Sequence, residues 1–190
     1  MDLKLAGKTI SLIPVEEKWL DELFSFSADP LVWQHLPFEI YTKEEMQNWF
    51  RCTLEEAAAG KILPFLLQLN ETGEILGSTR IYEWDRYHKR AEIGYTWINP
   101  KYFGTKINTE AKLLLLDYGF NTLRLNRIQF RIDERNIRSQ KAIVKLGVCR
   151  EAILRNYKFR RDGSVGNVFL YSIIKEEWPA VESLLKGQLK

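Results

Sequence analysis

The chain has 190 residues, of which 45% are apolar and 28% are charged, and its 28 basic residues exceed its 25 acidic residues by three. This length and apolar content suit a single domain with a sizeable core, and charges of both signs exclude the low-hydrophobicity, high-charge composition of disordered proteins. The basic excess is too small to indicate nucleic-acid binding by itself, although it is compatible with an anionic ligand because arginines cluster between Arg124 and Arg161.

The first third of the chain predicts one strand followed by helices. Residues 8–14 predict a strand, and residues 16–26 predict a short amphipathic helix. That helix is expected to end before Asp29-Pro30, because the residue before a proline avoids the helical conformation. Thr42 and Glu45 have the spacing of a capping box, in which each side chain accepts a hydrogen bond from the other residue's backbone N–H. A long helix is therefore predicted from there to Gly60.

Three strand-like segments follow, at residues 62–70, 75–83 and 90–98. A turn at Gly73 separates the first two, and the short connections predict three consecutive antiparallel strands. Alternation along the third strand predicts two opposite faces. One face carries Ala91, Ile93, Tyr95 and Trp97, and the other carries Glu92, Gly94 and Thr96.

Beyond Pro100 the apolar spacing changes to that of a helix. The apolar face of this helix consists of Ala111, Leu114, Leu115 and Tyr118. The remaining elements are a strand at residues 127–133, a short helix at 139–146 that Gly147 ends, strands at 151–160 and 167–174 joined by an Asp162-Gly163 turn, and a terminal helix from Lys175. This order predicts a mixed α/β (α+β) fold around a largely antiparallel sheet with one helical crossover.

Two segments of the second half resemble the motifs of one enzyme family. Residues 95–112, Tyr-Thr-Trp-Ile-Asn-Pro-Lys-Tyr-Phe-Gly-Thr-Lys-Ile-Asn-Thr-Glu-Ala-Lys, are similar to the cofactor loop of GNAT N-acetyltransferases, and Asn136-Ile-Arg-Ser139 with Leu146-Gly147 resembles their second CoA motif. The stretch after Gly104 is similar to the Rim-type enzymes, which acetylate the N-terminal amines of ribosomal proteins. The resemblance implies a GNAT fold over residues 8–178, with a mostly antiparallel, splayed sheet of about seven strands, and a C-terminal helix at 179–190 in the same domain.

The first motif suits a pyrophosphate for a reason that does not depend on the family. A strand ending at Ile98 leads into a loop whose free N–H groups precede a helix N-terminus, an arrangement that binds phosphate. Gly104 removes the side chain where the backbone must approach the anion. Lys106 adds a positive charge at a position where the family usually has Gly or Ala, so it needs a backbone outside the left-handed region. Asn108 or Thr109 is expected to cap the helix; the alternative is an ordinary helix start.

The second motif lies between a strand and a helix. The amide of Asn136 could bond to a pantetheine amide or, alternatively, cap the helix. The resemblance places Ser139 near the cofactor sulfur, where its hydroxyl could protonate the leaving thiolate, the alternative again being capping. Arg135 and Arg138 could reach the 3′-phosphate of CoA. The residues expected to bind acetyl-CoA are Trp97, Ile98, Phe103, Gly104, Thr105, Lys106, Ile107, Asn108, Thr109, Asn136 and Ser139.

Acetylation of an amine needs a base that removes a proton from the ammonium form, usually a carboxylate. Glu92 is the candidate, because it is predicted on a central strand among small residues and Rim-like enzymes carry Glu in the corresponding Glu-Ile-Gly-Tyr stretch. The alternative is a solvent-facing Glu92 paired with Arg80 or Arg90. Two further candidates for the base are Glu83 and Tyr157.

The resemblance implies an acyltransferase that moves an acetyl group from acetyl-CoA directly to a primary amine. Backbone N–H groups near Trp97 and Ile98 would stabilise the tetrahedral oxyanion. The acceptor stays open between a protein N-terminus of the ribosomal-protein type and a small amine, such as a polyamine, an amino acid or an aminoglycoside. Two alternatives from other classes are a non-catalytic CoA-binding regulatory module and an RNA-binding module that uses the arginine series.

The remaining expectations concern compartment and partners. Cys52 and Cys149 are far apart and outside any metal or redox spacing, so neither a disulfide framework nor a metal site is expected. Residues 1–9 lack the apolar stretch of a signal peptide, and the longest apolar run, residues 62–67, is too short to span a membrane. We expect a cytoplasmic protein whose partners are acetyl-CoA and an amine acceptor, without membrane or direct nucleic-acid contact, while a homodimer remains possible.

Overall fold

Eight strands form one open sheet in the computed structural model of the chain, which describes residues 3–190. In chain order the strands are β1 (Leu5–Ala6), β2 (Ile10–Pro14), β3 (Leu63–Leu69), β4 (Ile75–Asp85), β5 (Arg90–Ile98), β6 (Arg127–Asp133), β7 (Cys149–Phe159) and β8 (Val165–Ile174). Their order across the sheet is β1-β2-β3-β4-β5-β6-β8-β7. Neighbouring strands pair antiparallel, except that β5 and β6 are parallel.

Helices cover both faces of this sheet. They are α1 (Leu20–Phe24), α2 (Pro30–Trp33), α3 (Lys43–Ala58), α4 (Ile107–Asp117), α5 (Ile137–Lys145) and α6 (Trp178–Gln188). A 3₁₀ turn at Glu17–Trp19 precedes α1, a second at Pro100–Tyr102 precedes α4, and a π-helical turn at Tyr118–Thr122 extends α4. Within residues 3–190, no helix is long and apolar enough to cross a bilayer.

The mixed, mostly antiparallel sheet predicted from the sequence is confirmed. Strands β3, β4 and β5 pair in succession as the predicted meander. The capping box at the start of α3 is also confirmed, because Thr42 Oγ1 accepts from the Glu45 N–H and the Glu45 carboxylate accepts from the Thr42 N–H. At the predicted Asp162-Gly163 turn, Gly163 has a φ of 77° and the chain reverses from β7 to β8. Local turn and cap chemistry thus agrees with the strand pattern here.

The sheet has eight strands where about seven were expected; the two-residue strand β1, which pairs with β2, is too short to show alternation. Two local predictions were wrong. The single helix predicted at 16–26 is a 3₁₀ turn followed by α1, and a new helix, α2, starts at Pro30, since proline suits the first helical position and the Asp29 side chain accepts from the Leu31 N–H at 2.9 Å. The terminal helix starts at Trp178, not at Lys175.

The sheet separates two apolar clusters. One cluster lies between the sheet and helices α4, α5 and α6, and includes Ala111, Leu115, Ile143 and Leu185. The other lies between the sheet and helices α1 to α3, and its largest buried side chains include Trp33 and Phe50. Burial of apolar surface on both faces fixes β5 and β6 at the centre of the molecule.

Candidate active site

The two central strands separate part-way along their length. Strands β5 and β6 pair only from Arg90↔Arg127 to Glu92↔Gln129. Beyond that point β6 stays paired with β8 as far as Asp133, whereas β5 runs on to Ile98 paired with β4 alone. Because parallel strands separate here towards their C-terminal ends, the gap faces the loops that lead into α4 and α5. The two sequence motifs therefore lie at the mouth of one gap in the sheet.

A β-bulge beside this gap reverses the predicted faces of β5. Ser78 pairs with Trp97 and Arg80 pairs with Gly94, so β5 has one residue more than β4 between these pairs. Tyr95 takes up the extra residue with a φ of 49°. The prediction that Tyr95 and Trp97 share the face of Ala91 and Ile93 was therefore wrong. Beyond the bulge, Thr96 points to α4 and Trp97 packs in the cluster under α1 to α3.

The loop before α4 presents unused backbone donors. Gly104 has a φ of 78°, and a Cβ there would meet no atom within 4 Å. Lys106 precedes α4 with a φ of −72°, so the expectation that it avoids the left-handed region is confirmed. Among residues 3–190, no acceptor faces the N–H groups of Gly104, Lys106, Asn108 and Thr109. These donors at a helix N-terminus fit a pyrophosphate.

The predicted cap of α4 was wrong. The helix begins at Ile107, and Lys106 is its N-cap without a side-chain hydrogen bond. Asn108 and Thr109 lie inside the first turn, where their backbone N–H groups are directed out of the helix end. The nearest side-chain acceptor is Thr105 Oγ1, 3.4 Å from the Ile107 nitrogen. An uncapped N-terminus keeps its donors available for a ligand.

The second motif reaches the loop of the first. Asn136 Oδ1 accepts from the Ser139 N–H at 3.0 Å, so Asn136 does cap α5, and its Nδ2 has no partner within residues 3–190. The guanidinium carbon of Arg138 lies 3.9 Å from the ring centroid of Phe103, which joins the start of α5 to the loop. Arg135 pairs with Asp162 at 2.9 Å, whereas no acid pairs with Arg138 in the described part of the chain. Arg138 is therefore the arginine left for a phosphate.

Glu92 is fully buried, with no exposed surface. Its Oε1 accepts from the Tyr82 hydroxyl, and its Oε2 accepts from Gln129 Nε2 at 3.2 Å and from Arg131 Nε at 2.6 Å. The alternative of a solvent-facing Glu92 paired with Arg80 or Arg90 was wrong. Burial raises the pKa of Glu92, and this effect outweighs the opposing effects of Tyr82, Arg131 and Gln129.

Arg131 contacts all three residues that were considered as the general base, Glu92, Glu83 and Tyr157. Besides Glu92, it donates to Glu83 and to the Tyr157 hydroxyl. Sequence reasoning missed this role, although a signal existed. Ile128, Phe130 and Ile132 alternate with polar residues, which puts Gln129 and Arg131 on one face of β6. The parallel register Glu92↔Gln129 then places that face beside Glu92, and this register is not readable from the sequence.

Lys112 is a second polar residue that sequence reasoning missed. It is only 5% exposed, and its Nζ donates to Thr96 Oγ1 at 2.7 Å. Thr96 Oγ1 is in turn 2.7 Å from Thr79 Oγ1. Burial lowers the pKa of Lys112 to about 7. The available signal was its position three residues before Leu115 on the apolar face of α4, where a lysine is out of pattern.

A cleft of about 630 Å³ lies on the α3 side of the sheet, next to the Glu92 network. It is lined by Glu56, Gly60, Lys61, Ile62, Arg80, Tyr82, Glu83, Trp84, Asp85, Tyr95 and Arg131. Tyr82 belongs both to the cleft wall and to the contacts of Glu92. The Tyr82 hydroxyl therefore connects the cleft to the buried Glu92 carboxylate, which suits proton transfer from a molecule bound in the cleft.

Comparison with known proteins agrees with these features. Residues 9–148 match the family model described as an acetyltransferase (GNAT) domain. The uncharacterized N-acetyltransferase p20 of Bacillus licheniformis is 28% identical over 92% of this chain and 97% of its own. The spermidine N(1)-acetyltransferase of Escherichia coli (strain K12) is 31% identical over 92% of this chain and 91% of its own. RimJ of Mycobacterium smegmatis, in complex with CoA-disulfide, shares the fold with a TM-score of 0.83 at 23% identity, over 97% of this chain and 91% of that one.

Proposed function

The chain belongs to the GNAT acetyltransferases, and from this premise we propose that it transfers the acetyl group of acetyl-CoA to the α-amine of a protein N-terminus. The observation that carries the proposal is the placement of three features around one gap in the sheet. N–H donors without acceptors lie at the mouth of the gap, and the buried Glu92 carboxylate lies where β5 and β6 separate. The cleft lies on the α3 side of the sheet, opposite α4. Direct transfer needs these three parts: a place for the donor, a base and a place for the acceptor.

Acetyl-CoA would be held by the residues around the gap. The loop from Phe103 to Thr109, including Gly104, Thr105, Lys106, Ile107 and Asn108, fits the pyrophosphate because four of its N–H groups, those of Gly104, Lys106, Asn108 and Thr109, have no acceptor within residues 3–190. Arg138 is available for the 3′-phosphate. The Nδ2 of Asn136 is free to donate to pantetheine, and Trp97 and Ile98 lie on the part of β5 that β6 does not cover. When bound, acetyl-CoA supplies the thioester that the amine attacks.

The chain's own groups would handle the charge and the proton. Backbone N–H groups near Trp97 and Ile98 would stabilise the oxyanion. The Ser139 hydroxyl would protonate the leaving thiolate. Glu92 is fully buried and is not part of the cleft wall, whereas Tyr82, which donates to it, is. We therefore assign Tyr82 as the relay, passing its own proton to Glu92 while it takes one from the amine.

The charges of the cleft bear on the acceptor. A polyamine needs unpaired carboxylates, and the family includes a spermidine acetyltransferase. Each acid of the cleft wall instead faces an arginine: Glu83 pairs with Arg131, Asp85 with Arg90 at 3.4 Å and Glu56 with Arg80 at 3.4 Å. Such a wall offers little attraction to a polycation, which favours the α-amine of a peptide over spermidine.

The test is an acceptor panel with acetyl-CoA, in which released CoA thiol gives the rate and mass spectrometry locates the acetyl group. A peptide that begins with alanine or serine and contains an internal lysine should be acetylated on its α-amine. The same peptide with a blocked N-terminus is the matched control and should give no product. Turnover of spermidine in preference to every peptide would contradict the proposed acceptor, and thiol release without any acetylated amine would contradict the transferase function.

A further inference from the structure

The cleft contains an arginine whose hydrogen-bonding capacity is mostly unused. A guanidinium has five N–H donors. In Arg80, Nη1 lies 3.4 Å from Glu56 Oε2, which is long for a charge-assisted hydrogen bond. Arg80 Nε is buried without a partner, and no acceptor faces Nη2 within residues 3–190. The Nη2 group and the weakly bonded Nη1 group of Arg80 are therefore available to an acceptor that enters the cleft.

Two aromatic rings hold the guanidinium of Arg80 in place. Its central carbon lies 3.6 Å from the ring centroid of Tyr95 and 5.8 Å from that of Tyr82. The side chain is 18% exposed. Because the planar group is stacked and largely buried, its donors keep one direction before any ligand arrives. Such a preorganised fork suits bidentate recognition of a carboxylate.

Arg80 lies beside the point where the central strands separate. It pairs across the sheet with Gly94, two residues beyond Glu92, the last residue of β5 that pairs with β6. It also shares the cleft wall with Tyr82, which contacts Glu92. If one acceptor molecule places a carboxylate at Arg80 and its amine at Tyr82, only a few covalent bonds would therefore separate the two groups.

The formal charges of the cleft wall balance. Its three acidic residues, Glu56, Glu83 and Asp85, are matched by Lys61, Arg80 and Arg131. Lys61 also belongs to the wall, and no carboxylate pairs with it in the described chain. An entering carboxylate would meet the Nη2 group of Arg80, which has no acceptor within residues 3–190, and the charge of Lys61.

We propose that Arg80 selects the acceptor by binding a carboxylate that lies a few bonds from the reacting amine. The inference rests on the acetyl transfer proposed above and specifies the kind of amine that is accepted; a preference for the free amino acid would replace the protein N-terminus as acceptor and leave acetyl transfer in place. Two sources share this chemistry: a free α-amino acid, and a peptide N-terminus whose second residue is acidic. In both, one end is fixed by Arg80 while the α-amine is directed towards Tyr82.

Two matched pairs of acceptors test the selection with the wild-type protein. One pair is alanine and alanine amide; the other is a tetrapeptide amide that begins Ala-Glu and the same peptide beginning Ala-Gln. The carboxylate-bearing member of at least one pair should have a kcat/KM about tenfold to a hundredfold higher, as for loss of a hydrogen bond to a charged group. The pair that shows the difference identifies the source of the carboxylate.

Variants then assign the difference to Arg80. Arg80→Met should raise KM for the preferred acceptor by about the same factor and leave the Kd of acetyl-CoA unchanged. Arg80→Lys should fall between the two, because it keeps the charge and loses the fork. Arg51→Met, which removes an exposed arginine of α3, is the matched control and should change neither constant.

Two results would overturn the inference alone. The first is equal kcat/KM within both pairs of the wild-type protein, which needs no variant. The second is an Arg80→Met protein that loses the same factor on the carboxylate and on its amide. If acetyl-CoA binds and no amine of any kind is acetylated, the proposed function fails and the inference fails with it.

Discussion

Two opposing effects act on the pKa of Glu92. Complete burial raises its pKa, while the Tyr82 hydroxyl, the Arg131 guanidinium and the Gln129 amide stabilise the charged form. A carboxylate with a raised pKa is a better base near neutral pH than an exposed one. Burial also raises the pKa of Tyr82, so its hydroxyl keeps its proton until a neighbour takes it. The pair can therefore move a proton without exposing the carboxylate.

Glu92→Gln should lower kcat about a hundredfold or more, the usual contribution of a general base. The Kd of acetyl-CoA should stay unchanged, because Glu92 lies where the strands are still paired and away from the loop at Gly104. Arg131 keeps Glu83 as a partner, so the variant should fold. Steady-state kinetics and calorimetry check both values, with the exposed Glu176→Gln as control. An unchanged kcat would remove Glu92 from the proton path.

Lys112 ties the stability of the chain to pH. Burial lowers its pKa from 10.5 to about 7 in the folded chain, and unfolding restores the ordinary value. Between these two pH values the unfolded state binds more protons than the folded state, so the free energy of unfolding rises with pH. The slope from this one group is about 1.4 kcal/mol per pH unit. Below the lower value both states are protonated and the full cost of burying the charge is present.

Lys112→Met should remove this slope, since methionine fills similar space without a charge. Urea unfolding at several pH values from about 7.5 to 9.5 measures it. The difference in unfolding free energy between Lys112→Met and the wild type should be largest at the lowest pH and shrink as pH rises. The exposed Lys141→Met serves as control and should parallel the wild type. Parallel curves for Lys112→Met would mean that Lys112 titrates normally.

Sequence reasoning identified single residues better than their partners. Glu92 could be singled out because an acid in a predicted central strand is unusual. Its contact with Arg131 depends on how β5 and β6 align, and two strands joined through a helix carry no local signal for their register. Lys112 could have been noticed from the helical spacing, yet only the bulge that turns Thr96 towards α4 explains its partner.

At the scale of elements, the loop between β5 and α4 determines whether acetyl-CoA is bound. Its backbone turns at Gly104, which has a φ of 78° and no neighbour within 4 Å of an added Cβ. A side chain there would meet no clash, so the cost of substitution is conformational. Alanine in the left-handed region costs about 1 kcal/mol, and relief of that strain would redirect the N–H groups that follow.

Gly104→Ala should therefore weaken acetyl-CoA binding by about fivefold or more, the equivalent of about 1 kcal/mol. Calorimetric titration measures the Kd. Gly187→Ala is the matched control: Gly187 lies in α6, and a Cβ there also meets no atom within 4 Å. The control should keep its affinity and gain slight stability, because alanine favours helix. Equal affinities for Gly104→Ala and the wild type would mean that the loop does not hold the phosphates.

Element types could be predicted better than their ends and faces. The capping box of α3 was readable because both partners are close in sequence. The faces of β5 were not, because one inserted residue at Tyr95 reverses the alternation without changing the composition of the strand. The start of α4 was also misplaced, since Asn108 and Thr109 are good capping residues by type but follow the true N-cap.

At the scale of the whole molecule, the C-terminal helix completes the core on one face of the sheet. Trp178 is 4% exposed and its ring stacks on Phe120, with centroids 5.5 Å apart. Val181 and Leu185 of α6 belong to the same cluster as Leu115 of α4. The loop proposed to bind acetyl-CoA leads directly into α4. Packing of α6 against α4 therefore stabilises the position of that loop.

Trp178→Ala should lower the free energy of unfolding by about 3–5 kcal/mol, the usual cost of removing a buried large aromatic side chain. Trp178→Phe should cost less, because a phenyl ring keeps part of the aromatic packing and the indole Nε1 has no hydrogen-bond partner in the described chain to lose. Urea unfolding of both variants checks the order. A Trp178→Phe protein as unstable as Trp178→Ala would show that the indole group makes a contribution beyond packing.

The overall architecture was predictable because most strand pairs are local. Short turns join β3 to β4, β4 to β5 and β7 to β8, so antiparallel pairing follows from the chain order. The gap between β5 and β6 is different in kind. It depends on where two strands joined through a helix stop pairing, and this has no counterpart in periodicity.

The most direct test of the central claim is calorimetric titration of the wild-type chain and of Asn136→Ser with acetyl-CoA. Serine caps a helix as well as asparagine does, so the substitution removes the free amide donor and leaves α5 capped. The expected result is micromolar binding to the wild type, weakened about fivefold to tenfold in Asn136→Ser by loss of one hydrogen bond. A wild-type chain that binds no acetyl-CoA would contradict the account.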